Sequence, residues 1–195
     1  MSGAPHSKVT AIFGDLPEIR TERLKLRRMT LEDSADMFAY ARDPEVTRYT
    51  SWQPHRSVDE SRAFLEHAVA RHERGDVANW GVELLADRRF IGTAGYMRWD
   101  VADRCAELGY AIARAHWGRG LMTEALRAIT AFGFEEMLLN RIEARCAAEN
   151  IGSYRVMEKA GLTYEGTLRE RYLVDGTFFD IMVYSILRRE YDTRV

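Results

Sequence analysis

Twenty residues, AELGYAIARAHWGRGLMTEA from Ala106 to Ala125, constrain the fold more than any other part of this chain. Ala106 to Ala113 is short and mostly apolar, with Tyr110 and Ile112 in it, and reads as a buried strand. Trp117-Gly118-Arg119-Gly120 follows, a turn whose glycines let backbone approach a ligand with no Cβ in the way. From Leu121 a helical stripe begins, with Leu121, Ala125, Ile129 and Phe132 recurring at three- or four-residue steps. Strand, glycine turn and helix in that order aim free backbone N–H groups and the positive end of a helix at one point. That arrangement calls for an anion, and a pyrophosphate is the expected one. A glycine turn that merely packs a helix on a sheet is the competing reading. The usual dinucleotide fingerprint does not apply, because Thr123 stands where its third glycine belongs.

The flanking pattern describes a mixed α/β layer. Residues 1–18 are polar and irregular and read as a flexible lead-in, leaving 19–195 as one domain. RLKLR, Arg23 to Arg27, alternates as a half-buried strand. Thr30 caps a helix from Leu31 to about Arg42, ended by Asp43-Pro44. Ser57-Val58-Asp59-Glu60 is a capping box opening a helix to about Arg74, with Phe64, Leu65, Ala68 and Val69 as its buried stripe and Gly75 as its stop. Strands are expected over 79–86, 90–99 and 105–113, then a helix from Gly120 to about Met137, a strand over 141–147 and a helix from Asn150 to Ala160. Two last strands, about 163–173 and 177–187, are joined by the hairpin signal Asp175-Gly176.

Composition narrows the class. Hydrophobic residues at 46% and charged residues at 30% fit a globular protein and argue against disorder. A net charge of −2 gives no global case for nucleic acid or an anionic membrane as partner. The first residues lack an apolar signal core, so the expected compartment is the cytoplasm. Cys105 and Cys146 form neither a disulfide framework nor a metal cluster, and Cys146 reads as a buried structural thiol. His67 and His72 share no helix face and read as solvated, so no metal is expected.

Three linked segments, AELGYAIARAHWGRGLMTEAL, RIEARCAAENIGSYRVMEKAGL and EGTLRERYLVDGTFFDIMVYSIL, together resemble the GNAT superfamily of acetyl-CoA-dependent N-acetyltransferases, and within it the Rim-type (RimJ/RimL-like) branch. The resemblance runs from Thr21-Glu22-Arg23-Leu24 to about Glu190. It implies a mixed, mostly antiparallel sheet of about six to seven strands, a central splay between two parallel strands, and helices on both faces. It implies acetyl-CoA as co-substrate, with direct transfer to an amine. The superfamily's [Gln/Arg]-x-x-Gly-x-[Gly/Ala] loop falls on Trp117, Gly118, Arg119, Gly120, Leu121 and Met122, of which only Gly120 matches; Met122 stands in place of a small residue. The amides of Gly118 to Thr123 bind pyrophosphate in this reading, while Arg119 either adds a charge-assisted contact or is simply solvated. Backbone groups at about Ile112 and Ala113 face the pantetheine across the splay.

Asn150 and Ser153 match the family's Asn-x-x-[Ala/Ser], although Asn150 is also an ordinary helix cap. Many members place a tyrosine, the acid for the leaving thiolate, where this chain has Met157; Rim-type enzymes use a serine at the position of Ser153 instead. Glu107, in the strand before the loop, is the candidate base, acting through water, unless it is a plain surface glutamate. Glu170 is the fallback, on the strand face of Tyr172 by period-two counting. Tyr172 and Trp52 are placed near the acceptor, Trp52 being equally readable as a core-packing loop residue.

Deprotonation cost bears on the acceptor. Stripping a proton from an α-amine of pKa about 7.7–8.0 costs about 0.5 kcal/mol at roughly pH 7.4, against about 4 kcal/mol for a lysine at about 10.4. With no strong base evident, a protein or peptide N-terminus, a ribosomal protein's among them, is the favoured acceptor. A small amine such as a polyamine, aminoglycoside or amino acid is the alternative acceptor, and a non-catalytic acyl-CoA-binding module is the rival class. Homodimers are common in such enzymes.

Overall fold

The computed structural model describes residues 4–174 and 176–193, so Asp175 of the expected hairpin turn lies outside the described residues. Its strands are β1 (Ile19–Arg20), β2 (Leu24–Arg27), β3 (Asn79–Leu84), β4 (Arg89–Asp100), β5 (Cys105–Ile112), β6 (Arg141–Ala147), β7 (Thr163–Val174) and β8 (Thr177–Leu187). Its helices are α1 (Ala4–Phe13), α2 (Ser34–Ala41), α3 (Pro44–Thr47), α4 (Val58–Arg74), α5 (Leu121–Glu135), α6 (Ile151–Ala160) and α7 (Arg188–Asp192). The strands form one sheet in the order β1-β2-β3-β4-β5-β6-β8-β7, antiparallel everywhere except between β5 and β6. The eighth strand, beyond the six or seven expected, is β1. Its two residues pair with Leu26 and Lys25 and are too short to show a period.

One face of the sheet carries the main core, where Trp80, Tyr96 and Leu108 meet Leu126 and Ile129 of α5 and Met157 of α6. The other carries a smaller cluster, in which Met37 and Tyr40 of α2 and Leu65 and Ala68 of α4 cover Phe90. In α4, Ser57 Oγ accepts from Glu60 N–H as expected and Gly75 closes the helix at φ +68, but the Glu60 carboxylate accepts from Arg56 N–H rather than from Ser57 N–H, so the capping box is only half formed. The helix expected from Leu31 begins instead as a single tight turn over Leu31–Asp33, because the Asp33 carboxylate folds back to accept from Thr30 N–H and is gripped by Arg27.

Three expectations are corrected. The lead-in contains α1, whose Phe13 is fully buried, with its ring 6.3 Å from those of both Trp80 and Trp99; Leu16 just beyond it is buried too. Trp80 Nε1–H donates to Pro17 O, so the chain after α1 is tied down by a core indole. His72 is buried rather than solvated, with Nε2 3.1 Å from Asn79 O, whereas Phe64, assigned to the buried stripe, is exposed.

The splay lies at the centre of the sheet. β5 and β6 pair from Cys105↔Arg141 to Leu108↔Ala144, and among the described residues the pairing stops there. Beyond that point β5 stays on β4 as far as Ile112↔Gly92, and β6 stays on β8 as far as Ala147↔Ile181. Each strand keeps its outer neighbour, so the two part and leave a cleft with one polar edge on each side. A bulge in β4 between Tyr96 and Arg98, opposite Leu108 and Glu107, increases the local twist where the parting begins.

Candidate active site

The turn after β5 leads into α5 at the mouth of this cleft. Gly118 and Gly120 sit at φ +71 and +76, left-handed values that a side chain would strain, and nothing lies within 4 Å of a Cβ placed at Gly118. Gly120 occupies the cap position of α5 with no side chain capping it, and the first helical bond runs from Glu124 N–H to Gly120 O. Among the described residues, no acceptor within the protein meets the amides of Gly118, Arg119, Gly120, Leu121, Met122 and Thr123. A row of six unpaired donors at the positive end of a helix fits a multiply charged anion such as a diphosphate. Leu121, Met122 and Thr123 bury their side chains, so Met122, standing in place of a small residue, takes no room on the exposed side of the loop.

On the strand side the expected pair of backbone contacts is displaced. Ala113 N–H donates to Ile91 O on the β4 side, and its carbonyl accepts from His116 N–H. Ile112 O is taken by Trp117 Nε1–H at 2.8 Å. An antiparallel ladder alternates its donors, so with Ala113 turned toward β4, Ala111 and Gly109 turn the same way while Tyr110 and Ile112 face the cleft. The available edge is therefore Tyr110 with the N–H of Ile112, one register earlier than expected.

Ser153 lies in the first turn of α6, where Asn150 Oδ1 accepts from Ser153 N–H at 3.1 Å. The Asn150 side-chain oxygen thus serves as the helix cap. Ser153 Oγ is 2.8 Å from Tyr110 Oη, and the Tyr110 hydroxyl also reaches Ser153 O at 3.0 Å. The bond spans the cleft two residues past the last β5–β6 pair. Burial pushes the Tyr110 phenol well above its ordinary value, against an opposing pull from the Ser153 hydroxyl. Burial likewise raises the Cys146 thiol to about 11, again opposed by Ser153, so Cys146 stands beside this hydroxyl pair as a protonated, buried group. Met157 is fully buried in the core.

Ser153 and Glu107 are not brought into contact. Ala106 and Leu108 point to the α5 face, and Glu107 alternates to the other, between Arg98 and Glu143 in register and 3.9 Å from Arg145 Nε. The fallback Glu170 is displaced as well. A register break between Leu168 and Tyr172 interrupts β7, Glu170 adopts φ +48, and its N–H donates to Asp180, so period-two counting from Tyr172 does not apply. Tyr172 is half-buried opposite Phe179, whose ring meets Tyr49 edge-on at 5.9 Å. Trp52 packs on the smaller cluster, 5.4 Å from the His55 ring. The Arg114–Asp43 ion pair at 2.7 Å ties the α2–α4 connection to the segment just after β5, and the Tyr49–Phe179 contact ties it to β8.

Residues 23–163 match the acetyltransferase (GNAT) domain family. The chain belongs to the GNAT acetyltransferase family. This GNAT protein is 34% identical over 171 residues to an uncharacterized N-acetyltransferase, p20, of Bacillus licheniformis, covering 88% of this chain and 96% of the relative. It is 24% identical over 130 residues, 67% of this chain and 72% of the relative, to the ribosomal-protein-serine acetyltransferase of Escherichia coli. A GNAT-family acetyltransferase of Bacillus anthracis superposes with a TM-score of 0.79 at 28% identity, covering 89% of this chain and 99% of that one. The protein is therefore an N-acetyltransferase, and acetyl-CoA is its acyl donor. Among the described residues no helix is long and apolar enough to cross a membrane, and no cluster of three or more His, Cys, Asp or Glu is placed to hold a metal ion.

Two features escaped the sequence reading. Tyr110 counted only as an apolar strand residue, although a tyrosine inside a buried strand needs a partner for its hydroxyl. Arg23 stood out only as the first residue of an alternating strand within the opening Thr21-Glu22-Arg23-Leu24 of the resemblance, yet its side chain lies along the glycine loop.

Proposed function

We propose that this protein transfers acetyl directly from acetyl-CoA to the N-terminal α-amine of a protein or peptide, in the cytoplasm. The observation carrying the proposal is the run of unpaired amides from Gly118 to Thr123 opening onto the cleft that Ser153 and Tyr110 bridge. Bound acetyl-CoA supplies the activated acyl group. The loop amides hold its diphosphate, and the cleft edge at Tyr110 and Ile112 aligns the rest of the donor. Ser153 Oγ–H protonates the departing sulfur, while Tyr110 fixes the rotamer of Ser153. Glu107, on the opposite face of β5, takes the amine proton through water. Such an indirect base suits an acceptor whose neutral form costs little to reach, as it does for an α-amine and does not for a lysine. The resemblance to a ribosomal-protein-serine acetyltransferase supports the same class of acceptor.

The test is thiol release from acetyl-CoA with four acceptor sets: peptides with free N-termini, the same peptides N-terminally blocked but carrying lysine, spermidine, and aminoglycosides. Release with free N-termini and none with blocked ones is the expected result; turnover confined to polyamine or aminoglycoside overturns the acceptor. The buried Met157, standing where many relatives keep an acidic tyrosine, favours a second reading as an acyl-CoA-binding module. A rise in melting temperature with acetyl-CoA, without thiol release on any acceptor, would select it.

A further inference from the structure

We propose that Arg23 is a cofactor-binding residue, pinning the glycine loop through Nε and Nη1 and presenting its free Nη2–H group to the diphosphate of acetyl-CoA. The inference rests on the loop's assignment to that diphosphate. Arg23 lies between β1 and β2, 96 residues from Arg119 in sequence, yet its Nη1–H donates to Arg119 O at 3.0 Å. Its Nε–H donates to Glu124 Oε2 at 2.6 Å, and its backbone N–H to Glu124 Oε1 at 2.8 Å. Thr21 Oγ1–H adds a third donor to Glu124 at 2.6 Å.

Two groups at the start of α5 would oppose an anion there: the outward carbonyl of Arg119 and the first-turn carboxylate of Glu124. Arg23 takes up both. The Arg119 carbonyl is turned to the guanidinium, and the Glu124 charge is satisfied from the side of β2, which leaves the six amides with no internal competitor. Thr21 and Arg23 hold the Glu124 carboxyl below its ordinary value against the opposing effect of burial, so it stays ionised and paired.

The remaining nitrogen, Nη2, has no partner among the described residues and lies 3.7 Å from where a Cβ on Gly120 would stand. The Arg23 side chain is 43% exposed whereas its partner Glu124 is 17% exposed, so the ion pair turns its cationic member outward. A planar guanidinium held in protein at Nε and Nη1, with Nη2 open beside a glycine, is suited to a phosphate oxygen. Lysine cannot reproduce it, since one ammonium cannot span Arg119 O, Glu124 and a phosphate together.

The experiment compares acetyl-CoA with acetyl-pantetheine, the same thioester without the diphosphate, as donors for the wild type, Arg23→Gln and Arg23→Lys. The wild type is expected to prefer acetyl-CoA strongly in kcat/KM. Absence of that preference would overturn the diphosphate assignment of the loop itself, separately from Arg23. Arg23→Gln is expected to raise KM for acetyl-CoA about tenfold or more with kcat little changed, and to leave kcat/KM for acetyl-pantetheine as it was. Arg23→Lys should fall between, and it carries the test if the glutamine variant does not fold. Equal losses with both donors would place the effect of Arg23 outside the diphosphate site, and no loss with acetyl-CoA would remove it from cofactor binding; either result overturns the proposal.

Discussion

Tyr110 has one proton and two acceptors within reach, Ser153 O at 3.0 Å and Ser153 Oγ at 2.8 Å. If the phenol donates to the carbonyl, which can only accept, the serine proton must point back to Tyr110. If it donates to Oγ, the serine proton is free to face the cleft. A phenol raised by burial keeps its proton and acts by orienting the serine rather than by giving the proton away. Tyr110→Phe is therefore expected to lower kcat about tenfold with little change in KM, the loss of one hydrogen bond to a group in action. Ser153→Ala should cost more, and the double variant no more than Ser153→Ala alone. Steady-state kinetics of the three decide it; losses that multiply independently would mean that the two hydroxyls do not act together. This pair was half legible. Ser153 stood out through the family resemblance, which its Asn150-x-x-Ser153 match carries, but its partner lies 43 residues away, and only the placement of α6 over the cleft joins them.

At the scale of elements, α5 shows why a helix can be read from sequence while its fit cannot. Its stripe marks the buried face, yet the closest approach is made at Gly133, where an added Cβ would stand 2.0 Å from Tyr96 Oη and 2.9 Å from Ile142 Cδ1. Tyr96 is fully buried, and its hydroxyl donates to Ile129 O at 2.8 Å, so the glycine makes room for a tyrosine that ties β4 to the helix. Gly133→Ala should destabilise by about 2 kcal/mol through overpacking, despite alanine's better helix propensity. Tyr96→Phe should destabilise the wild type but relieve the Gly133→Ala background, a reversal of sign measurable by denaturant unfolding of the four proteins. Additive losses would show that the clash is relieved elsewhere. Caps and stops were similarly legible, as at Ser57 and Gly75, because they depend on neighbours in sequence. The break in β7 at Glu170 was not: its N–H finds Asp180 across the hairpin, a pairing that no local pattern records.

For the whole molecule, the order of elements followed from periodicity, while the splay was expected only through family resemblance, since nothing local to β5 or β6 states where their pairing ends. The lead-in was misread because α1 offers a thin stripe, and its value lies in the single ring of Phe13 between two tryptophans distant in sequence. The open face of β5 and β6 carries a ladder of charge equally invisible in the net −2: Glu165 is held bidentately by Arg141, which also meets Glu143, and Arg145 bridges Glu143 toward Glu107. Arg141, and then the Ser185 hydroxyl, hold the Glu165 carboxyl down at about 2 from an ordinary 4.5. A carboxyl depressed by folding contributes stability that is fully present above its unfolded value and drains as pH falls toward its folded one. The contribution of Glu165 is therefore complete above about pH 4.5 and lost progressively between there and about pH 2, reduced in size because the side chain is 40% exposed to screening solvent. Glu165→Gln should lower the melting temperature at pH 7 and flatten its decline across that acid window, bringing the two proteins together near pH 2. Melting curves that run parallel from pH 7 to pH 2 would show that the Arg141–Glu165 pair holds no net stability, and would leave the acid sensitivity of the sheet to its other carboxylates.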